Sequence, residues 1–174
     1  MGKIVASWSG MRKYLEQEML ADCLKGRVRY NCTSYVGMDG CKIFTVCIDG
    51  KPVKQFSWET VNTYFINNGL SAAGKRECPV GTAEYWTGFW ETLSRLPLNE
   101  RTEYTDGEFC QALEKYRNQP IQDSLSSDNP IVRMFSVMDW RVGKRTLKKL
   151  GDPEDVHPEW LREFYQFRFS AENE

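Results

Sequence analysis

The sequence predicts an α+β protein, with a three-stranded antiparallel sheet in α-β-β-β-α order and a helical C-terminal half packed onto it. Three observations support this class. Apolar residues first recur three or four apart, then alternate through segments separated by turn residues, and finally return to helical spacing for the rest of the chain. At 174 residues the chain suits one domain, and we expect residues 1–174 to share one core.

The N-terminal half contains five predicted elements. Helical spacing over residues 11–24 predicts the first helix, and alternation over residues 27–36 predicts the first strand. Residues 42–48 and 52–58 are rich in β-branched and aromatic side chains, which favours two further strands. Residues 59–68 have apolar side chains at helical spacing and are followed by a glycine, which predicts the second helix.

The dipeptide Asp49-Gly50 predicts the turn between the second and third strands, because these residue types accept positive φ angles. Two registers are open. A two-residue turn pairs Val46 with Val53, whereas a three-residue turn places Phe44 opposite Phe56. Since a shift of one residue moves every side chain to the other face of the sheet, the register decides which residues enter the core.

The C-terminal half reads as helical throughout. Residues 71–81 mix small, charged, Pro and Gly residues without periodicity, so they predict a loop that separates residues 1–70 from the helical part, 82–174. Apolar residues then recur at helical spacing in several segments. These segments begin at residues typical of helix starts, namely Thr82, Thr105, Asp128 and Pro158.

Charge and hydropathy exclude several classes of protein. The 23 Lys and Arg residues nearly balance the 24 Asp and Glu residues, and the net charge of −1 argues against a globally basic nucleic-acid-binding protein and against an acidic disordered chain. No run reaches the roughly 18 consecutive apolar residues of a membrane span, and the N-terminus lacks the apolar core of a secretory signal. We therefore expect a cytoplasmic protein without a membrane partner.

Cysteine and histidine patterns give little support to metal or nucleophile chemistry. The six cysteines contain no C-x-x-C pair, so we expect no metal site, and we expect buried or half-buried thiols. His157 is the single histidine, and its position before Pro158 suits a turn better than a catalytic base. No P-loop, dinucleotide fingerprint or serine-nucleophile motif occurs, so we predict no cofactor.

The strongest local signal is basic and lies in residues 139–150, DWRVGKRTLKKL. On a helix, four of its cations share one face and a fifth lies beside them. The five are Arg141, Lys144, Arg145, Lys148 and Lys149. Such a stripe can bind phosphates with an affinity that falls steeply with salt. We therefore predict a non-enzymatic binding or regulatory protein whose partner is nucleic acid or another anionic macromolecule.

Three other interpretations stay open. The basic stripe is only a solvated face if the acids of residues 152–155 neutralise it. The chain is a small hydrolase or nuclease if carboxylates such as Glu159 and Glu163 meet His157 in a pocket. It is a protein-interaction module if an aromatic patch is exposed, although the aromatic residues of segment 85–90 favour core packing.

The α-β-β-β-α order over residues 11–69, with FTVCIDGKPV at the second hairpin, resembles the double-stranded-RNA-binding domain. In that family the first helix, the loop between the first two strands and a lysine-rich start of the second helix contact the RNA. Here that loop is Gly37–Gly40, and the second helix opens with SWETVN at residues 57–62, without a lysine. The resemblance therefore implies a shared topology and leaves the RNA contacts without matching residues.

Two further segments are similar to an uncharacterised family of small bacterial proteins. They are DNPIVRMFSVMDWRVGKRTLKKL at residues 128–150 and LADCLKGRV at residues 20–28. The similarity covers most of the chain. It implies a bacterial cytoplasmic origin and no particular activity.

Overall fold

A computed structural model of the chain describes residues 7–34, 41–70 and 81–174. Within this part, the elements follow the predicted α-β-β-β-α order and then continue as helices, so the α+β class is confirmed. The strands are β1 (Val28–Ser34), β2 (Lys42–Ile48) and β3 (Lys51–Phe56). The α-helices are α1 (Trp8–Lys13), α2 (Trp58–Asn67), α3 (Ala83–Arg95), α4 (Asp106–Asn118), α5 (Ile121–Leu125), α6 (Pro130–Val137), α7 (Lys144–Lys149) and α8 (Arg162–Asn173).

Some predicted features fall outside these ranges. The turn predicted at Gly37–Gly40, nearly all of the loop predicted over 71–81, and Cys78 lie outside the described residues. Among the described residues, no helix is both long and apolar enough to cross a membrane.

The sheet is antiparallel throughout, with the order β1-β2-β3. The turn between β2 and β3 has two residues, Asp49 and Gly50, and both have positive φ angles, 49° and 79°. A bulge then shifts the register between Val46 and Cys47, so that Phe44 lies opposite Phe56. The tight turn and the Phe pairing were predicted as alternatives, and the extra residue of the bulge makes them compatible.

The first helix is shorter than predicted. A continuous helix over residues 11–24 was expected, but α1 ends at Lys13 and a π-helical turn follows at Tyr14–Glu18. The wider turn brings the Glu16 carboxylate inside, where it accepts a hydrogen bond from the Tyr30 backbone N–H at 2.8 Å. Beyond it the helix is interrupted, because the Met19 carbonyl accepts from the Trp140 N–H at 2.9 Å, and only a 3-10 turn follows at Asp22–Leu24. Tertiary pairing thus replaces the last predicted helical turns.

The main core lies between the sheet and helices α4, α6 and α8. Phe109 of α4 stacks on Phe44 of β2 with ring centroids 4.4 Å apart, and it also contacts Phe56 of β3. Helix α4 starts at the predicted Thr105, whose side chain accepts from the Glu108 N–H while Glu108 accepts from the Thr105 N–H. This reciprocal cap fixes the helix end that delivers Phe109 to the sheet.

Helices α2 and α3 form a second, smaller cluster around Val61, Phe65 and Phe89. The aromatic segment 85–90 was predicted to pack in a core, and Phe89 is indeed only 2% exposed. Trp90 is the exception, since 51% of it is exposed. The cluster therefore buries one side of α3 and leaves the Trp90 side in water.

Candidate functional site

Four of the five predicted cations stand on the short helix α7. Lys144, Arg145, Lys148 and Lys149 are all exposed, while Leu147 of the same helix is 3% exposed and packs in the main core. Because one apolar residue anchors the helix, the other side chains face outward. Within residues 7–34, 41–70 and 81–174, none of these four cations forms an ion pair with a carboxylate.

Arg141 has a different environment from the other four. It precedes α7 in a turn, and its Nη2 atom lies 2.6 Å from the Oδ2 atom of Asp139. Asp139 is completely buried and also accepts a hydrogen bond from the Tyr116 hydroxyl. The predicted single helical face required a helix that included Arg141. Here the buried carboxylate neutralises Arg141 and turns the chain before α7 begins.

The acids that follow α7 are engaged away from it. Asp152 accepts a hydrogen bond from the Glu154 N–H at 3.0 Å, which caps the next turn of the chain. Glu154 accepts from the side-chain amide of Gln166 on α8. Neither carboxylate is within ion-pair distance of Lys148 or Lys149. Asp152 and Glu154 therefore do not neutralise the α7 cations.

A groove of about 380 Å³ opens beside the start of α7. One wall comes from the 3-10 turn Asp22–Leu24, a second from the segment Trp140–Lys144, and a third from the end of α8. Trp140 is 59% exposed, although Asp139 directly before it and Val142 two residues after it are fully buried. The groove therefore has a large aromatic side chain at its mouth and one α7 cation, Lys144, in its lining.

The floor of the groove is an ordered cluster around Arg168. This side chain is 2% exposed and donates to the Val142 carbonyl at 2.7 Å, to the Cys23 Sγ atom at 3.1 Å and to the Glu172 carboxylate. The Cys23 thiol in turn donates to Glu172 Oε2 at 3.5 Å. The cluster ties three segments together that are far apart in the sequence.

The protonation states of this cluster do not suit a nucleophile. Burial raises the pKa of the Cys23 thiol, and this effect outweighs the nearby Arg168 charge. The hydrogen bond from Arg168 lowers the pKa of Glu172, and the charge of Lys144 acts in the same direction. Cys23 is thus a neutral thiol and Glu172 an ionised partner of Arg168. The groove offers a binding surface instead of an activated sulfur.

The sequence model of one protein family matches residues 7–169, which is nearly the whole chain. The chain belongs to the SF0329 protein family. No curated protein and no solved structure matches it. The matched range includes the sheet, α7, Trp140 and Arg168 of this SF0329 protein. The likeness to the double-stranded-RNA-binding domain stays a prediction about topology.

The carboxylates considered for an enzyme do not gather in the groove of the SF0329 protein. Glu159, Glu163 and His157 are exposed, and the His157 carbonyl accepts from Arg133. A second groove, of about 440 Å³, is lined by polar residues that include Glu59 and Glu103. Among the described residues, no group of three or more His, Cys, Asp or Glu side chains could hold a metal ion.

Sequence reasoning missed Trp140, Cys23, Arg168 and Glu172 as parts of one site. Two signals were available. Trp140 directly precedes the basic stripe, and an exposed aromatic next to cations is typical of nucleic-acid surfaces. Arg168 occupies an apolar position of the last helix pattern, where a charge indicates a buried ion pair. No sequence signal joined either residue to Cys23.

Proposed function

We propose that this SF0329 protein is a non-enzymatic binding or regulatory protein that holds nucleic acid against helix α7 and the adjoining groove. The observation that carries the proposal is the set of four exposed cations on α7, none of which pairs with a carboxylate of the described residues. A phosphate backbone supplies negative charges in a row and releases counterions when cations neutralise it.

The groove supports the same partner. Its two carboxylates are already neutralised, since Glu172 pairs with Arg168 and Asp22 pairs with Lys25 at 2.6 Å. Lys144 lines this groove and also a smaller one of about 90 Å³ between α7 and α8, in which Lys148 takes part. The net potential along α7 is therefore positive although the whole chain carries a net charge of −1.

Binding to generic RNA and DNA, measured by fluorescence anisotropy at several salt concentrations, tests the proposal. If all four cations contact phosphates, log K should fall with log salt with a slope of about −3 to −4. Reversing the four charges of α7 to Glu should abolish salt-dependent binding.

A second charge-reversal variant controls for the net charge. It changes Lys13, Lys51, Arg95 and Lys115, which are also exposed and lie outside α7. Both variants have the same net charge, so this control should keep most of the affinity. Three results would each overturn the proposal. They are an equal loss of nucleic-acid affinity in the two variants, an affinity that does not change with salt concentration, and binding to an acidic polypeptide without binding to nucleic acid.

A further inference from the structure

We infer that the bound nucleic acid is single-stranded and that one unpaired base enters the groove and stacks on Trp140, with its flanking phosphates on Lys144 and Lys148. This inference rests on the proposed function and names the form of the nucleic acid. It starts from the exposure of Trp140, 59%, in a chain whose large apolar side chains are mostly buried.

Trp140 is held firmly although its indole is in water. Its backbone N–H donates to the Met19 carbonyl at 2.9 Å, within the bridge that pairs Leu20 with Asp139. Asp139 is 0% exposed and binds Arg141 and the Tyr116 hydroxyl. An aromatic ring on such a fixed turn is preorganised, because little backbone freedom is lost when a ligand stacks on it.

The lining of the groove decides which part of a nucleotide enters. Asp22 and Glu172 line it, and hydrogen bonds from Lys25 and Arg168 lower the pKa of each carboxyl group, so both are ionised at neutral pH. Both carboxylates are paired with Lys25 and Arg168, and these two cations are therefore not free to bind a phosphate inside the groove. A neutral base needs no unpaired cation to enter. The phosphates therefore stay on the outer side, where the cations of α7 stand exposed.

An unpaired base fits this geometry and a duplex does not. In a duplex the faces of the bases are covered by their neighbours, so an indole on the protein surface has no face to stack on. A single strand exposes every base face, and stacking on an aromatic side chain tolerates any sequence. The concave space of about 380 Å³ beside Trp140 gives the base room that the convex surface of α7 lacks.

The test compares three probes of equal strand length: a single strand, the same strand in a duplex, and an abasic strand with the same phosphates. The wild-type protein should bind the base-containing single strand about 5- to 150-fold more tightly than the abasic strand, as expected for one stacked base. Trp140→Ala should remove this difference, and Trp140→Phe should keep part of it. Trp90→Ala is the matched control, because Trp90 is 51% exposed but lies on α3.

The outcomes separate this inference from the proposed function. If no probe shows salt-dependent binding, the proposed function fails. Charge reversal on α7 can weaken the binding of all three probes while Trp140→Ala leaves the preference for the base-containing strand unchanged. In that case the inference alone is overturned. The same holds if the duplex or the abasic strand binds as tightly as the single strand. Circular dichroism of each variant checks that it folds. Substitution of Trp140 should not perturb the fold, because its side chain is exposed.

Discussion

At the scale of single residues, Arg168 shows how a buried charge can serve structure. Its guanidinium group is 2% exposed, and transfer of such a group out of water is costly unless partners surround it. Glu172, Cys23 and the Val142 carbonyl supply these partners. Arg168 thereby fixes the distance between α8 and the turn before α7, and with it the width of the groove.

The ion pair of Glu172 should make stability depend on pH. Arg168 lowers the pKa of Glu172 in the folded protein below its usual value of 4.5. The pair therefore contributes stability that is complete above the unfolded pKa and is lost as the pH falls through the folded pKa. We expect Glu172→Gln to lower the free energy of unfolding at about pH 6, and we expect this loss to be smaller at about pH 2.5, because acid progressively protonates Glu172 in the wild type.

Urea unfolding between these two pH values measures this effect. Glu163→Gln is the control, because Glu163 is exposed on α8 and forms no ion pair with the described residues. Its stability should follow that of the wild type at every pH. A loss in Glu172→Gln that stays constant down to the lowest pH would contradict the role assigned to the ion pair.

At the scale of elements, the β2–β3 hairpin depends on backbone conformation more than on side chains. Asp49 and Gly50 form its turn with positive φ angles, and Arg27 of the neighbouring segment holds the Asp49 carboxylate with two hydrogen bonds of 2.9 Å. The bulge that follows places Phe44 opposite Phe56 and thus completes the aromatic face that meets α4.

The same substitution should act in opposite directions at two glycines. Gly50 has a φ of +79°, and a Cβ atom there would meet no atom within 4 Å, so Gly50→Ala should cost about 1 kcal/mol through backbone strain alone. Gly107 lies in the first turn of α4, where an added Cβ atom would be 3.7 Å from the Thr105 Oγ1 atom, an ordinary van der Waals contact. Gly107→Ala should therefore raise the free energy of unfolding by about 0.5 kcal/mol. Chemical denaturation of both variants checks the two signs, and a stabilising Gly50→Ala would refute the argument.

At the scale of the whole molecule, the two hydrophobic clusters differ in size and in the helices and strands that they join. The main core joins the sheet to α4, α6 and α8. In the described part of the chain, the α2–α3 cluster contains three buried hydrophobic residues, Val61, Phe65 and Phe89. Fewer buried contacts mean a lower free energy of local opening. Helix α3 should therefore open more readily than the sheet.

Removing one phenylalanine from each cluster should reveal this difference. Phe109→Ala should cost about 3 to 5 kcal/mol of global stability, because Phe109 contacts rings of both β2 and β3. Phe89→Ala should mainly speed hydrogen exchange in Ala83–Arg95 and leave the protection of β1–β3 unchanged. Hydrogen exchange followed by mass spectrometry distinguishes the two, and equal deprotection of the sheet by both variants would contradict a division into two clusters.

Much of the fold follows from local patterns. The alternation over β1, the β-branched and aromatic residues of β2 and β3, the capping residue Thr105 and the return of helical spacing after residue 81 all act over a few residues, so the sequence shows them directly. The first helix was predicted too long because its pattern gave no sign that Met19 would pair with Trp140. A hydrogen bond across about 120 residues leaves no trace in local periodicity.

The sequence by itself determined the α+β class, the order of the elements and the cations on α7, because each depends on residue type at short spacing. Only the tertiary structure decided that Asp139 neutralises Arg141, that Trp140 stays in water and that Cys23, Lys144 and Glu172 line one groove. The physical reason is that charge neutralisation and concavity depend on distances between segments, and packing around the common core sets those distances.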